Sequence, residues 1–172
     1  MDQHSNAALF ASLHRQEQPL RLPNAWDAGS ARLIESLGAA AIATTSAGVA
    51  WSLGYRDGDV LPPAPHAASV AAIARAIHVP LSVDIEGGYA RDADRVGEVV
   101  ARFIDAGAVG INIQDALGVR RVSAGSWIPQ TLWAQASTLV TGFLADGRSE
   151  PLVAGAAPYA EVNAGFADAG MP

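Results

Sequence analysis

The sequence predicts an α/β fold of repeated strand–helix units around a parallel sheet. Three observations lead there. Short apolar runs end in small or polar residues, as strands covered on both faces do. Stretches of helical period lie between those runs. The chain is also apolar enough to pack a core, since 50% of its 172 residues are hydrophobic and only 16% are charged, the reverse of a disordered composition.

The first strand is expected over 20–26 and the second over 39–45. Between them a short helix from Ala28 to Leu37 would bury Leu33, Ile34 and Leu37, and Gly38 would stop it. A helix over 66–77 aligns Val70, Ile73 and Ile77 on one side and leads to a third strand over 81–85. The clearest helix runs from about Asp92 to Ala106. Val96, Val99, Val100, Phe103 and Ile104 form its apolar stripe, while Arg95, Glu98, Arg102 and Asp105 face away. Asp92 and Asp94 suit its positive end, and Gly107 closes it.

A fourth strand follows over 109–113, then a fifth strand-like run over 118–125. A last helix over 128–144 carries Leu132, Leu139, Val140, Phe143 and Leu144. Trp127 and Trp133 read as packing residues. The expected organisation is one domain over 1–147, with four strand–helix units in 1–115 and a last strand and helix in 116–147. Residues 148–172 read as an extended or partly disordered arm.

Composition narrows the function. There is no Cys, so disulfides, thiolate metal sites and a cysteine nucleophile are excluded. Against 17 acidic residues stand 11 basic ones, a net charge of −6, which argues against a nucleic-acid partner. The first fifteen residues lack the basic start and longer apolar core of an export signal. The most apolar stretch, 37–51, is interrupted by Ser, Thr and Gly and is too short for about 30 Å of hydrocarbon. A cytoplasmic chain without a membrane contact is expected. A complete eight-unit barrel takes about 200–250 residues, so 172 residues exclude one.

In parallel α/β folds the reactive groups gather at the carboxyl ends of the strands. Those ends read Asn24-Ala25-Trp26-Asp27, Thr44-Thr45-Ser46, Asp84-Ile85-Glu86 and Gln114-Asp115. Asp84 and Glu86 lie two apart on what reads as extended chain, which would point both to one side. Paired carboxylates repel unless a cation or proton lies between them, and an all-oxygen set suits Mg²⁺ or Mn²⁺. The competing reading has them cap the next helix or bind Arg91. Gly87-Gly88-Tyr89 permits a tight turn directly afterwards. Asp57 sits in a polar loop over the same ends. The four His residues read as structural or surface groups.

Five ordered segments then carry a resemblance. They are Leu22-Pro23-Asn24-Ala25-Trp26-Asp27, Thr44-Thr45-Ser46-Ala47-Gly48, Leu53-Gly54-Tyr55-Arg56-Asp57, Val83-Asp84-Ile85-Glu86-Gly87-Gly88-Tyr89 and Gly110-Ile111-Asn112-Ile113-Gln114-Asp115. Across residues 8–115 the chain resembles the isocitrate lyase/phosphoenolpyruvate mutase superfamily. Leu117-Gly118-Val119-Arg120-Arg121-Val122-Ser123-Ala124-Gly125 resembles that family's last strand. The resemblance implies a (β/α)8, TIM-type barrel, here partial, with about four to five parallel units. It implies Mg²⁺ (or Mn²⁺) held by Asp84 and Glu86, with Asp57 acting through water. The backbone around Thr45, Ser46 and Ala47 would take a small substrate carboxylate, and Trp26 would wall the pocket.

Two departures from the family pattern stand out. Gln114 occupies a catalytic position that is usually Glu, which removes one anionic contact. The chain also passes directly from the fourth-strand motif to the last-strand motif, so the family's fifth to seventh strands are missing. Three residues separate Gln114 from Gly118, whereas adjacent parallel strands need a crossover of about a dozen. The last strand is therefore not expected beside the first with native polarity. It would fold back as a hairpin, cross to a partner or hang loose.

The function the resemblance implies is a Mg²⁺-dependent lyase or mutase acting on C–C or P–C bonds of small 2-oxo acids through an enolate-type intermediate. The alternative is an inactive relative serving as a subunit or binding module. An unrelated flavodoxin-like sheet would explain the length but not five ordered motifs. An open half-barrel would also expose apolar residues such as Ile42, Leu81, Val83 and Ile111, so a homo-oligomer using the last helix is expected.

Overall fold

The computed structural model describes residues 2–113, 121–123, 125–146 and 154–167. Helix α1 spans Gln3–Leu13, strand β1 Leu20–Leu22, β2 Asn24–Ala25, and α2 Ala28–Ser36. Then come β3 Ile42–Thr44, α3 Ser46–Ser52, α4 Pro63–Ala76, β4 Leu81–Asp84 and α5 Ala93–Asp105. The described chain closes with β5 Gly110–Asn112, β6 Arg121–Ser123, α6 Trp127–Asp146 and α7 Tyr159–Ala167. Among the described residues no helix is long and apolar enough to cross a membrane.

Local chemistry sets the helix starts. Asp27 accepts from the Ser30 N–H at 2.7 Å while Ser30 Oγ accepts from the Asp27 N–H at 3.1 Å, a reciprocal cap on α2. Asp92 caps α5 through the Arg95 N–H. Pro63 opens α4, where a missing N–H costs nothing.

Among the described residues all strand pairings are parallel. One ladder has the order β2-β3-β4-β5 and a second joins β1 to β6. Pro23, with no N–H to donate, divides the expected first strand into β1 and β2. Since β2 continues β1 after that single residue, the order across both ladders is β6, β1/β2, β3, β4, β5.

The last strand therefore does lie beside the first with native polarity, with Leu20 opposite Arg121 and Leu22 opposite Ser123. The crossover minimum applies to neighbouring strands, whereas β5 and β6 stand at opposite edges of the order. The linking segment 114–120, which includes the candidate Gln114, lies outside the described residues.

Two cores cover the two faces of the sheet, as a parallel sheet requires. Ile42, Leu81, Val83 and Ile85 pack with Val70 and Ile73 of α4 and Phe103 of α5. On the other face Leu20, Leu22, Ala41 and Ala43 pack against Phe10 and Leu13 of α1. This corrects the expected apolar inner surface. Ile42, Leu81 and Val83 face the helices and are buried, and Ile111 packs with them. The opposite face is small and α1 covers it. The fit there is close: a Cβ on Gly110 would stand 2.4 Å from Phe10 Cε1.

Three further expectations change. Leu33 and Leu37 are 60% and 78% exposed, because α2 buries its small residues Ser30 and Ala31 instead. Trp127 and Trp133 are 74% and 70% exposed on α6 and do not pack into the core. Residues Tyr159–Ala167, expected in the arm, form helix α7, which lies against α2.

Candidate active site

The carboxyl ends of β2, β3, β4 and β5 meet around a small cavity of about 70 Å³. Asn24, Thr44, Thr45, Ser82, Asp84, Asn112 and Gly125 contribute its polar wall, with Leu22 and Ala43 beneath. The expected site residues Asp84 and Thr45 stand here. Asn24, Ser82 and Asn112 had no assigned role from the sequence. Their signal was strand phase, since residues two apart on a strand share a face.

Asp84 ends β4 and is held from three sides. Its N–H donates to Thr44 Oγ1 at 3.0 Å, its Oδ1 accepts from the Glu86 N–H at 3.0 Å, and its Oδ2 accepts from Ser46 Oγ at 3.4 Å. Glu86 does not follow it along extended chain. The strand stops at Asp84, and Glu86 has φ +52°. The two-residue alternation fails at that point, and Glu86 turns toward the loop between α3 and α4 instead of lining the cavity. There its Oε2 accepts the Asp59 N–H. The expectation that both acids face one cavity is corrected accordingly.

Their charges still meet. Glu86 is only 5% exposed. Burial pushes its carboxyl up, and the nearby charges of Asp59, Asp57 and Asp84 add to that. Asp57 is exposed and acts on Glu86 through its charge. Asp59 touches the site directly, and its Oδ1 also accepts from the Gly87 N–H at 3.4 Å. Sequence reading had passed over Asp59, although it lies two residues after Asp57 in the same loop. None of the four carboxylates forms an ion pair among the described residues, so the Arg91 pairing does not occur.

Behind this cluster Tyr89 Oη and His66 Nδ1 lie 2.8 Å apart. His66 is fully buried and edge-on to Phe103. Burial pulls its imidazole down to about 4, so it is neutral at pH 7. Burial and the surrounding acids, Glu86 foremost, hold the Tyr89 phenol above its ordinary value.

On the other flank α3 begins at Ser46, and its cap residue Thr45 makes no side-chain capping bond. The first N–H groups of a helix have no acceptor within it. Here they belong to Ser46, Ala47 and Gly48, all buried. Trp26 is half-buried beside them, packed on Val49, Ala50 and Leu61.

Four oxygen-bearing acids without cationic partners suit a hard divalent ion. Among the described residues no three His, Cys, Asp or Glu side chains stand close enough to enclose a metal alone. Mg²⁺ does not require that, because it keeps several waters and uses about one or two carboxylates. The chemistry of these side chains is compatible with such an ion, Asp84 at the cavity and Glu86 in the adjoining turn being the carboxylates nearest the end of β4.

A family model for phosphoenolpyruvate phosphomutase matches residues 10–123. The chain belongs to the phosphoenolpyruvate phosphomutase family. Escherichia coli 2-methylisocitrate lyase is 31% identical over 122 residues, which are 70% of this chain and 41% of that protein. A solved phosphonopyruvate hydrolase in complex with oxalate and Mg²⁺ is 26% identical at a TM-score of 0.54, over 64% of this chain and 38% of that one. A solved chain from Burkholderia cenocepacia J2315 is 21% identical, with a TM-score of 0.83 and 96% of both chains covered. That likeness shows the fold alone, an α/β chain with a parallel sheet, with which a partial barrel is consistent. The chain spans about 40% of the length of the curated relatives it matches.

Proposed function

We propose that this family member is a Mg²⁺-dependent lyase or mutase acting on C–C or P–C bonds of small 2-oxo acids, through an enolate-type intermediate. The carrying observation is that Asp84 ends β4 while the charges of Asp84, Asp57 and Asp59 all act on the buried Glu86 in the adjoining turn, none of the four with a cationic partner among the described residues. Asp84 and Glu86 would hold the cation, and Asp57 would act through water. A bound Mg²⁺ supplies positive charge against the negative charge that develops on a substrate oxygen. The N–H groups that open α3, at Ser46 and Ala47 after Thr45, would receive the carboxylate, and Trp26 would wall it. Gln114, outside the described residues, is proposed as catalytic from the family resemblance alone, with an uncharged amide where the family has an acid.

A second reading has its own support. The cavity of about 70 Å³ has room for about two waters. Gln114 also carries an uncharged amide where the family has an acid, and on both grounds the chain would serve as an inactive subunit or binding module. In either case we propose self-association through α6, whose apolar residues are exposed.

Titration calorimetry of Mg²⁺, with and without oxalate, tests the site. Steady-state assays with oxaloacetate, phosphonopyruvate and phosphoenolpyruvate test the chemistry. Mg²⁺ uptake that is lost in Asp84→Asn, together with turnover of one substrate, is expected. Uptake of both ligands without turnover selects the second reading. Equal heats for wild type and variant overturn both.

A further inference from the structure

The turn after β4 is held in an unfavourable backbone conformation. Glu86, Gly88 and Tyr89 have φ of +52°, +86° and +60°. Two of the three carry side chains, for which this region is strained and persists only when the surroundings enforce it. Strain of this kind needs anchors. Gly88 N–H bonds Ile85 O at 2.8 Å and Asp59 N–H bonds Glu86 from one side. The anchor on the other side is Tyr89, whose hydroxyl meets His66 Nδ1 at 2.8 Å on α4.

The choice of a histidine at that place needs a reason. Its ring is fully buried against Phe103, and among the described residues its Nε2 has no hydrogen-bond partner. A leucine or methionine would fill the same core without an unpartnered polar atom, which is unfavourable. What the imidazole contributes over an aliphatic side chain is the bond to Tyr89.

We propose that His66 is a positioning residue: through Tyr89 it enforces the left-handed turn that keeps the Glu86 carboxylate buried beside Asp59 and Asp84. The consequence for cation binding rests on the proposed function. The consequence for the turn does not.

Two measurements on the full chain separate those claims. The first is amide hydrogen exchange without metal, in wild type, Tyr89→Phe, His66→Leu and the polar replacement His66→Asn. Protection of the Gly88 and Asp59 amides should fall about five- to tenfold in Tyr89→Phe and His66→Leu, the factor one buried hydrogen bond carries. It should return in part in His66→Asn, while Val83 and Ile73 stay protected throughout. Unchanged loop protection overturns the proposal, and so does an equal loss at Val83 and Ile73 in Tyr89→Phe, which would make the pair a general packing element. The second measurement is Mg²⁺ titration. A Kd raised about five- to tenfold in Tyr89→Phe supports the link to Glu86, and an unchanged Kd overturns it. Should wild type take up no Mg²⁺, the functional reading falls and the exchange result still decides the positioning.

Discussion

Gly125 donates its backbone N–H to the side-chain oxygen of Asn24 at 2.9 Å, joining residues 101 apart in the chain. The same amide donates through Nδ2 to the Thr44 carbonyl at 2.9 Å. Asn24 thus ties the chain just beyond β6 to β2 and β3. It is buried, so the Thr44 bond is made away from water and the Gly125 bond is partly shielded. Asn24→Ala should lower stability by about 2–3 kcal/mol, the sum of two lost bonds and two groups left unsatisfied. Urea denaturation reads it. A loss below about 0.5 kcal/mol, the floor for one hydrogen bond, would show that this junction is not held here.

Two helical glycines should respond with opposite signs. A Cβ on Gly48 would stand 2.8 Å from Thr45 Cγ2 and 2.9 Å from Trp26 Cβ, so Gly48→Ala must displace the start of α3. Overpacking of that kind costs about 1–3 kcal/mol, more than the helix propensity gained. A Cβ on Gly97, in α5, meets nothing within 4 Å. Gly97→Ala should stabilise by about 0.5–1 kcal/mol. Thermal melts of the pair check the sign of each.

His66 makes stability depend on pH. Its folded value, about 4, lies below the ordinary 6.5, so the unfolded chain binds the proton more tightly. Stability is complete above about pH 6.5 and is lost as pH falls toward 4, by about 3 kcal/mol across that window. The raised carboxyl of Glu86 works in the opposite sense, since the folded state favours its protonated form. The comparison with His66→Asn isolates the imidazole. Relative to wild type, that variant should gain stability steadily from pH 6.5 to 4, and a constant difference would contradict the assignment.

Neutralising the acid cluster should separate stability from binding. Glu86→Gln keeps an oxygen for the Asp59 N–H but removes a buried charge that its neighbours oppose. The metal-free variant should be about 1 kcal/mol more stable. Its Mg²⁺ affinity should fall at least tenfold by calorimetry. A variant both less stable and unchanged in affinity would mean that the charges do not act on one another as described.

Helix α6 leaves Trp133 and Leu144 70% and 77% exposed. A helix this apolar is normally covered. Sedimentation velocity should show association for wild type, and a shift toward monomer for the double variant Trp133→Glu/Leu144→Glu. A wild-type monomer throughout the micromolar range would rule out self-association.

Helix α5 was legible in the sequence because its apolar stripe, its Asp92 cap and its Gly107 stop are all local features, and local features repeat with the helical period. The parallel order of β2 to β5 followed from the same logic of strand, helix and strand. The strand-end acids were legible too, because parallel folds collect chemistry there. The relation of Glu86 to Asp84 was not. A two-residue period holds only while the chain stays extended, and φ +52° at Glu86 is imposed by contacts from Asp59 and, through Tyr89, from His66.

What the sequence determined by itself was helices α2, α4, α5 and α6, the strand runs, the family resemblance and the residue types brought to the strand ends, whereas α1, α3 and α7 were not read from it. Periodicity, caps and motifs are written in neighbouring residues. Tertiary structure alone decided that β6 returns beside β1, that α1 closes the inner face, and that Asp59 joins the acids while buried His66 and its partner Tyr89 brace the turn beneath them. Each of these pairs residues far apart in the chain. Such pairings are selected by which surfaces can be buried together and which polar groups can be satisfied on burial, and no local pattern carries that information.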